Sequence, residues 1–443
     1  MHNNSIIDLH IHSKHSRACS TDLDLKNLEK YARIKGVDLL GTGDFTHPKW
    51  IEEIKTSLSE NTTGNGGVLE SKTGFKFILS TEISLIYTHA NKGRKVHNVV
   101  LAPSIEVAEQ ITEQLKKHGR VDYDGRPIFG MSCIQFVEEL REISKDIEII
   151  PAHAWTPWFS LFGSNSGFDS IKECFGEYTK HIHAIETGLS SNPPMNWRLS
   201  QLDNFQIVSF SDAHSFWPWR LGREATLIDG MPETISYEKI LKAIRTGDGL
   251  AGTIEVDPNY GKYHFDGHRA CNVCMKPAET RKNKGICPKC KRQMTIGVQY
   301  RVEELADRPE GFIRKNAPPF HSLMPLSEIL AAVIGKGLAT KTVFAEFYKL
   351  QKAFSTEYNI IFNASREELE KHTHQKIVDA IIKNREGAVS VTPGYDGVYG
   401  IPQLEKAEGM GETKEKKEKK EAPKKEKKER KKKHMPQRSL SEF

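Results

Sequence analysis

Ser5-Ile6-Ile7-Asp8-Leu9-His10-Ile11-His12 opens the chain with an apolar run that closes on two histidines. Alternation along a strand sends His10 and His12 to the same side, where two imidazoles can share a metal ion. The pattern beyond this run decides the fold. Helical spacing in residues 23–36 is followed by the short apolar run VDLLGTG at 37–43, then by FKFILSTEISLI at 75–86, HNVVLA at 97–102 and a second helical stretch at 105–119. The rhythm continues through IQFVEELREI (134–143), IEIIPAHAW (147–155), HIHAIETG (181–188), IVSFSDAH (207–214) and SYEKILKAIRTG (236–247). About seven strand-and-helix units of this kind predict an α/β domain over residues 1–255, built as a parallel barrel.

In a barrel, chemistry gathers at the C-terminal ends of the strands. Besides the histidine pair, the strand ends carry Asp44, Glu82, His97, His153, Asp212 and His214. Imidazole with carboxylate suits zinc, manganese or iron, and Glu82 could bridge two ions. Water shared by two or three such cations supplies hydroxide at neutral pH, which makes phosphoester hydrolysis the expected reaction, with Asp212, Glu82 and His153 as its catalytic residues.

Composition changes near residue 255. Residues 256–324 carry Cys271-x-x-Cys274 and Cys287-x-x-Cys290, the spacing of a four-cysteine zinc ribbon with a closed, structural Zn2+. Lysines and arginines crowd the same knuckles, as phosphate-backbone contacts or as a solvated surface. Residues 325–402 have helical spacing and include the capping pattern Ser365-x-x-Glu368. Residues 403–434 form a Lys/Glu-rich segment expected to be a disordered linker, and 435–443 end the chain.

Net charge does not identify the partner. The chain carries +6, but residues 412–434 hold 13 Lys or Arg against 6 Glu, which leaves 51 cations against 52 carboxylates elsewhere. No run of about 18 apolar residues occurs. A cytoplasmic, monomeric protein without a membrane partner is therefore expected.

Three loops near the proposed metals stand out. AWTPWFSLFGSNSGF places Trp155, Trp158 and Phe159 after His153, and FWPWR places Trp217 after His214. These aromatics are either packed between the barrel and a neighbouring domain or exposed to wedge a duplex and stack on an extruded base. The third loop, ETGLSSNPPMNWR, offers Ser190, Ser191, Asn192 and Asn196 for base-edge hydrogen bonds, or else forms an internally bonded turn.

The ordered set of His10-x-His12, a strand-end acid, His153 in PAHA and Asp212-x-His214 resembles the polymerase-and-histidinol-phosphatase (PHP) domain. That resemblance implies a distorted (β/α)7 barrel with up to three divalent metals, Zn2+, Mn2+ or Mg2+. His10, His12, Glu82 and Asp212 would hold the first; Glu82, His97 and His153 the second; Asp44 with His214 the third. The chain departs from the pattern in two places. Ala18 stands about where a third histidine is expected, with His15 and Asp22 nearby, and Thr42-Gly43-Asp44 replaces Thr-Asp-His.

Almost the whole chain, with HAWTPWFSLFGSNSGFDS, ETGLSSNPPMNWR and SDAH as its most specific segments, resembles the endonuclease Q family. The helical end, through IGKGLATKTVFAEFYKL and PGYDGVYG, also resembles a small DNA-contacting domain found in helicase-related proteins. The family resemblance implies a DNA repair endonuclease acting on double- or single-stranded DNA. It would cut on the 5′ side of hypoxanthine, uracil, xanthine or an abasic site and leave 3′-hydroxyl and 5′-phosphate ends. The rival reading of the barrel is a small-molecule phosphatase of the histidinol-phosphate kind. Gln437-x-x-Leu440-x-x-Phe443 resembles a truncated motif for docking on the sliding clamp, proliferating cell nuclear antigen.

Overall fold

The computed structural model describes residues 4–60 and 66–406. Gln437, Leu440 and Phe443, and nearly all of the charged linker, lie outside the described residues.

The strands that frame the barrel are β1 (Asn4–Asp8), β2 (Leu39–Gly41), β3 (Lys76–His89), β4 (Lys92–Ala102), β5 (Glu148–Pro151), β6 (Ala184–Glu186), β7 (Gln206–Val208) and β8 (Ala225–Asp229). β1 pairs in parallel with β2, β2 with β3, and β6 with β7. β3–β4, β4–β5 and β8–β1 are antiparallel. The ring closes between β5 and β6 through Ala154 N–H on the Glu186 carbonyl (2.9 Å) and between β7 and β8 through Ser209 N–H on Thr226 Oγ1 (3.0 Å).

The antiparallel pairs make the barrel a distorted one, as the PHP resemblance implies. Between β3 and β4 the cause is local: Ala90 and Asn91 both have positive φ (48° and 60°), which makes a two-residue primed turn and leaves no room for a crossover helix.

Strand alternation divides the core in two. Ile7, Leu39, Ile78, Val99, Ile150 and Val208 share one cluster with Ile240 and Ile244 of the helix Tyr237–Thr246. Ile6, Leu40, Phe77, Val100 and Ile149, on the opposite faces, pack against the surrounding helices. Three of those helices, Leu25–Lys35, Ile105–Lys116 and Cys133–Ile143, start at Asp24, Ser104 and Ser132, whose side chains accept an amide of the first turn. Each such cap contributes about 1 kcal/mol.

The ribbon region pairs Asp266–His268 with Val273–Met275. Helices Leu326–Ile334, Lys341–Phe354, Glu357–Phe362, Arg366–Glu370 and Gln375–Arg385 follow. Residues expected to continue the helical unit to 402 instead end as an antiparallel pair, Ser390–Thr392 with Ile401–Gln403. A buried ion pair ties this unit to the barrel: Lys35 Nζ donates to Glu357 Oε1 at 2.7 Å and to the Pro218 carbonyl at 2.9 Å. Among the described residues no helix is long and apolar enough to cross a membrane.

Candidate metal centre and active-site cavity

β3 and β4 bring the first two functional side chains together. Their register pairs Ser84 with His97 and Glu82 with Val99, so Glu82 and His97 lie diagonally on one face. His10 and His12 follow β1, and a parallel bridge from Ile11 to Ala213 sets them beside Asp212. Asp44, His153 and Asp212 all have positive φ (49°, 30° and 47°). This left-handed backbone is costly for non-glycine residues and is found where a site over-determines the chain. Gly188 makes the close approach behind His153 possible, since a Cβ there would lie 2.7 Å from the His153 Cβ.

Two groups of ligand atoms result, His10/His12/Glu82/Asp212 and Glu82/His97/His153, the atoms of each lying within 4.8 Å of one another. Glu82 belongs to both. Its Oε2 is 3.6 Å from His10 Nε2 and 3.3 Å from His12 Nε2; its Oε1 is 2.7 Å from His97 Nδ1 and 3.1 Å from His153 Nε2. Asp212 Oδ1 is 3.1 Å from His12 Nε2. The His97 contact lacks hydrogen-bond geometry, and the buried His10 Nε2 has no hydrogen-bond partner among the described residues. These nitrogens and oxygens face one another as ligands of shared cations would.

The electrostatics agree. Burial pushes the His10 imidazole down, but the Glu186, Glu82 and Asp212 carboxylates outweigh it and hold it well above its ordinary value. His12 is raised for the same reason, by Asp212, Asp44 and Glu82 against burial. Burial would raise Glu82 and Asp212, yet the surrounding cationic groups hold both well below the usual carboxylate range. The pocket thus demands positive charge. Divalent cations with nitrogen and oxygen ligands would supply it and displace the imidazole protons.

Outer groups orient the ring nitrogens. His10 Nδ1 meets Glu186 Oε1 and Oε2 at 2.9 and 3.0 Å, and Glu186 also accepts the His153 N–H at 2.6 Å. His12 Nδ1 meets Asp44 Oδ1 at 3.1 Å, leaving both Nε2 atoms for the cations.

A cavity of about 820 Å³ opens over these groups. His97, His153, Asp212 and His214 are on its floor; Lys95, Arg126, Arg220, Arg223 and Lys262 place five cations on its walls; Trp158, Phe159, Tyr263 and Tyr399 add aromatic surface. Arg126 Nη1 is 3.0 Å from Glu82 Oε2. Buried and facing Arg223, Glu224 is pushed well above the usual carboxyl range, first by burial and then by the neighbouring Glu255.

Comparison with solved structures places this architecture. The lesion-specific endonuclease PfuEndoQ from Pyrococcus furiosus superposes with a TM-score of 0.79 at 30% sequence identity, over 92% of this chain and 96% of that one. The chain belongs to the endonuclease Q family. A structure of endonuclease Q in complex with a 27-mer duplex substrate carrying an abasic lesion at the active site matches equally, with a TM-score of 0.80 at 30% identity over 92% of this chain and 98% of that one. The family model of the MJ0043 C-terminal domain matches residues 325–388. The uncharacterized protein MJ0043 of Methanocaldococcus jannaschii is 36% identical over 255 residues, 56% of this chain; the match spans 31% of that relative's length. Membership of the endonuclease Q family makes the chain an enzyme of the endonuclease class on a PHP-type barrel.

Several expected contacts of this endonuclease Q chain fall elsewhere. Asp44 and His214 belong to neither group of three or more ligand atoms; both flank His12, Asp44 at the His12 Nδ1 (3.1 Å) and His214 with ring centroids 4.4 Å apart. Asp44 Oδ2 accepts from Ser13 N–H (2.7 Å), Ser13 Oγ (2.6 Å) and Ser16 Oγ (2.8 Å), while its Oδ1 meets His12 Nδ1, so that it orients the His12 ring. His15 stacks on His47 with ring centroids 4.2 Å apart, and Asp22 is exposed; neither joins a ligand group.

Of the four polar residues singled out in the serine-asparagine loop, only Ser190 lines the cavity, next to Gly188 and Leu189. Asn196 is buried and accepts the Trp155 indole N–H at 2.7 Å, Ser191 Oγ donates to the Thr187 carbonyl, and Asn192 caps the helix Pro193–Trp197. The loop is an internally bonded turn, and Trp155, Ser191, Asn192 and Asn196 are absorbed in holding it. Trp158 and Phe159 do reach the cavity, whereas Trp217 stacks on Trp219 and packs at a tilt against Phe344 (5.4 Å each), between the barrel and the helical unit.

The ribbon also differs from expectation. His268, Cys271, Cys287 and Cys290 converge, with Cys290 Sγ 3.3 Å from His268 Nδ1, while Cys274 is exposed and outside the group. The groups that converge are three thiols and an imidazole, a combination that a structural zinc site also accepts. His268-x-x-Cys271 was a readable signal for it. Glu186 stood in plain sight in HIHAIETG, but Arg126, Arg220, Arg223, Glu224 and Tyr399 lie in loops whose convergence no spacing announces.

Proposed function

We propose that this endonuclease Q chain is a DNA repair enzyme that nicks at hypoxanthine, uracil, xanthine and abasic sites. It hydrolyses the phosphodiester on the 5′ side of the lesion and leaves 3′-hydroxyl and 5′-phosphate ends. One observation carries the reading: Glu82 is shared by two ligand groups on the floor of a cation-walled cavity wide enough for a nucleotide. Two ions held by His10, His12, Glu82, Asp212, His97 and His153, whether zinc, manganese or magnesium, would supply hydroxide at neutral pH and neutralise phosphate charge.

The chain's own residues do the rest. Arg126, beside Glu82, can meet a phosphate oxygen that neither group of ligands reaches. Trp158, 38% exposed and edge-on to Tyr263 with centroids 5.9 Å apart, is placed to stack on an extruded nucleotide. Extrusion is cheapest for a mispaired or missing base, which gives lesion preference before any base contact is made. Zinc in the ribbon would act as a staple, and the sliding clamp would be met through Gln437, Leu440 and Phe443.

The test is a panel of end-labelled duplexes, each with one altered base, incubated with Mg2+, Mn2+ or Zn2+. A single nick 5′ of the lesion supports the proposal. Phosphate release from a small phosphomonoester, with every duplex intact, would establish the phosphatase reading instead.

A further inference from the structure

The segment Gly394–Gly400 touches both the turns that carry the ribbon's metal group and the wall of the catalytic cavity. It returns from the helical unit and folds as a primed turn, with Asp396 and Gly397 at φ 44° and 84° and reciprocal hydrogen bonds between Tyr395 and Val398. At the ribbon end Asp396 accepts the Arg269 N–H at 2.6 Å and the Thr295 hydroxyl at 2.7 Å. Arg269 directly follows His268 of the metal group. Tyr395 Oη donates to Asn272 Oδ1 at 2.6 Å, inside the Cys271–Cys274 turn, and its ring lies where a side chain on Gly267 would stand, 2.4 Å from a Cβ there.

At the cavity end Gly397 N–H reaches the Lys262 carbonyl (2.9 Å) and Gly400 N–H the Tyr260 carbonyl (2.9 Å). Tyr399 forms part of the wall, with the Arg220 guanidinium 5.1 Å from its ring centroid. Lys262 and Tyr263 complete that wall.

We infer that Gly394–Gly400 is a strap through which the metal-bound ribbon positions Tyr399, Arg220 and Lys262 in the cavity, with Asp396 as its positioning residue. The inference rests on reading the cavity as the DNA site. An ion gathering His268 and Cys271 fixes the Arg269 amide and the Asn272 turn, these hold Asp396 and Tyr395, and the short turn passes their position to the cavity wall. A ribbon acting only as a staple would leave substrate affinity insensitive to Asp396.

The experiment uses the full, metal-loaded chain and D396A, which touches neither ligand group. Hydrogen exchange is expected to quicken at least tenfold at Gly394, Gly397, Val398 and Gly400, with zinc content unchanged. KM for a lesion duplex should rise about tenfold with kcat within twofold, and D396N, whose amide oxygen still accepts, should recover part of the loss. Releasing the ribbon metal with a mercurial should reproduce the exchange change. Wild-type protection in D396A, or a fall in kcat at constant KM, overturns the strap. Exchange is read without DNA, so a wild-type enzyme that nicks nothing would sink the proposed activity and leave this result standing.

Discussion

Replacing Glu82 by Gln should cut metal-dependent activity steeply while leaving the protein folded. The substitution keeps the shape and changes two things. It removes the one carboxylate facing His10 and His12 at 3.6 and 3.3 Å and His97 and His153 at 2.7 and 3.1 Å. It also turns a possible amide N–H toward Arg126 Nη1, 3.0 Å away, so that donor meets donor. If the shared ligand supplies about 4 kcal/mol of transition-state charge stabilisation, kcat should fall roughly 10³-fold, at ~1.36 kcal/mol per decade.

A second readout separates ligand loss from misfolding. At 100 times Kd a bound ion stabilises the wild type by about 2.7 kcal/mol, which raises the Tm of a barrel of this size by about 5 °C. E82Q should show almost none of that rise. Thermal shift against Mn2+ concentration, with nicking assayed in parallel, checks both. Wild-type metal stabilisation and wild-type cleavage in E82Q would refute the assignment of Glu82 as shared ligand.

Other substitutions test other parts of the account. K35M leaves the Glu357 carboxylate buried without its partner, which should cost about 3–5 kcal/mol in denaturant unfolding, and K35M/E357Q should recover most of it. Burial holds the Glu255 carboxyl up to about 8, against 4.5 ordinarily; between those values the native state keeps a proton that the unfolded chain releases, so stability falls as pH rises through the window. E255Q should therefore melt higher than wild type at pH 8.5 and alike at pH 5, as a pH series of melting curves will show. H268A should bind one zinc fewer per chain than wild type while C274S matches wild type, measured by elemental analysis; the reverse order would restore the four-cysteine set.

What the sequence disclosed was whatever adjacency in the chain preserves. His10 and His12 share a face because a strand alternates, and Glu82 and His97 meet because one tight turn fixes the register of their hairpin. Asp44 was recognised as belonging to the site, but only the fold shows Ser13 and Ser16 closing around its Oδ2 and His12 meeting its Oδ1. Asn196 was legible as polar but not as buried, and its hydrogen bond to Trp155 removes it from the cavity. Glu186 and Tyr399 were missed because each acts across more than 170 residues of chain, on His10 and Arg220 respectively. Composition carries no trace of such pairings.

The most direct test of the central claim is a crystal grown with Mn2+ and measured at the manganese edge. Two anomalous peaks about 3.5–4 Å apart are expected, on either side of Glu82, one bounded by His10, His12 and Asp212 and the other by His97 and His153. A cavity floor with no peak, or a single ion displaced onto Asp44 and His214, would contradict it.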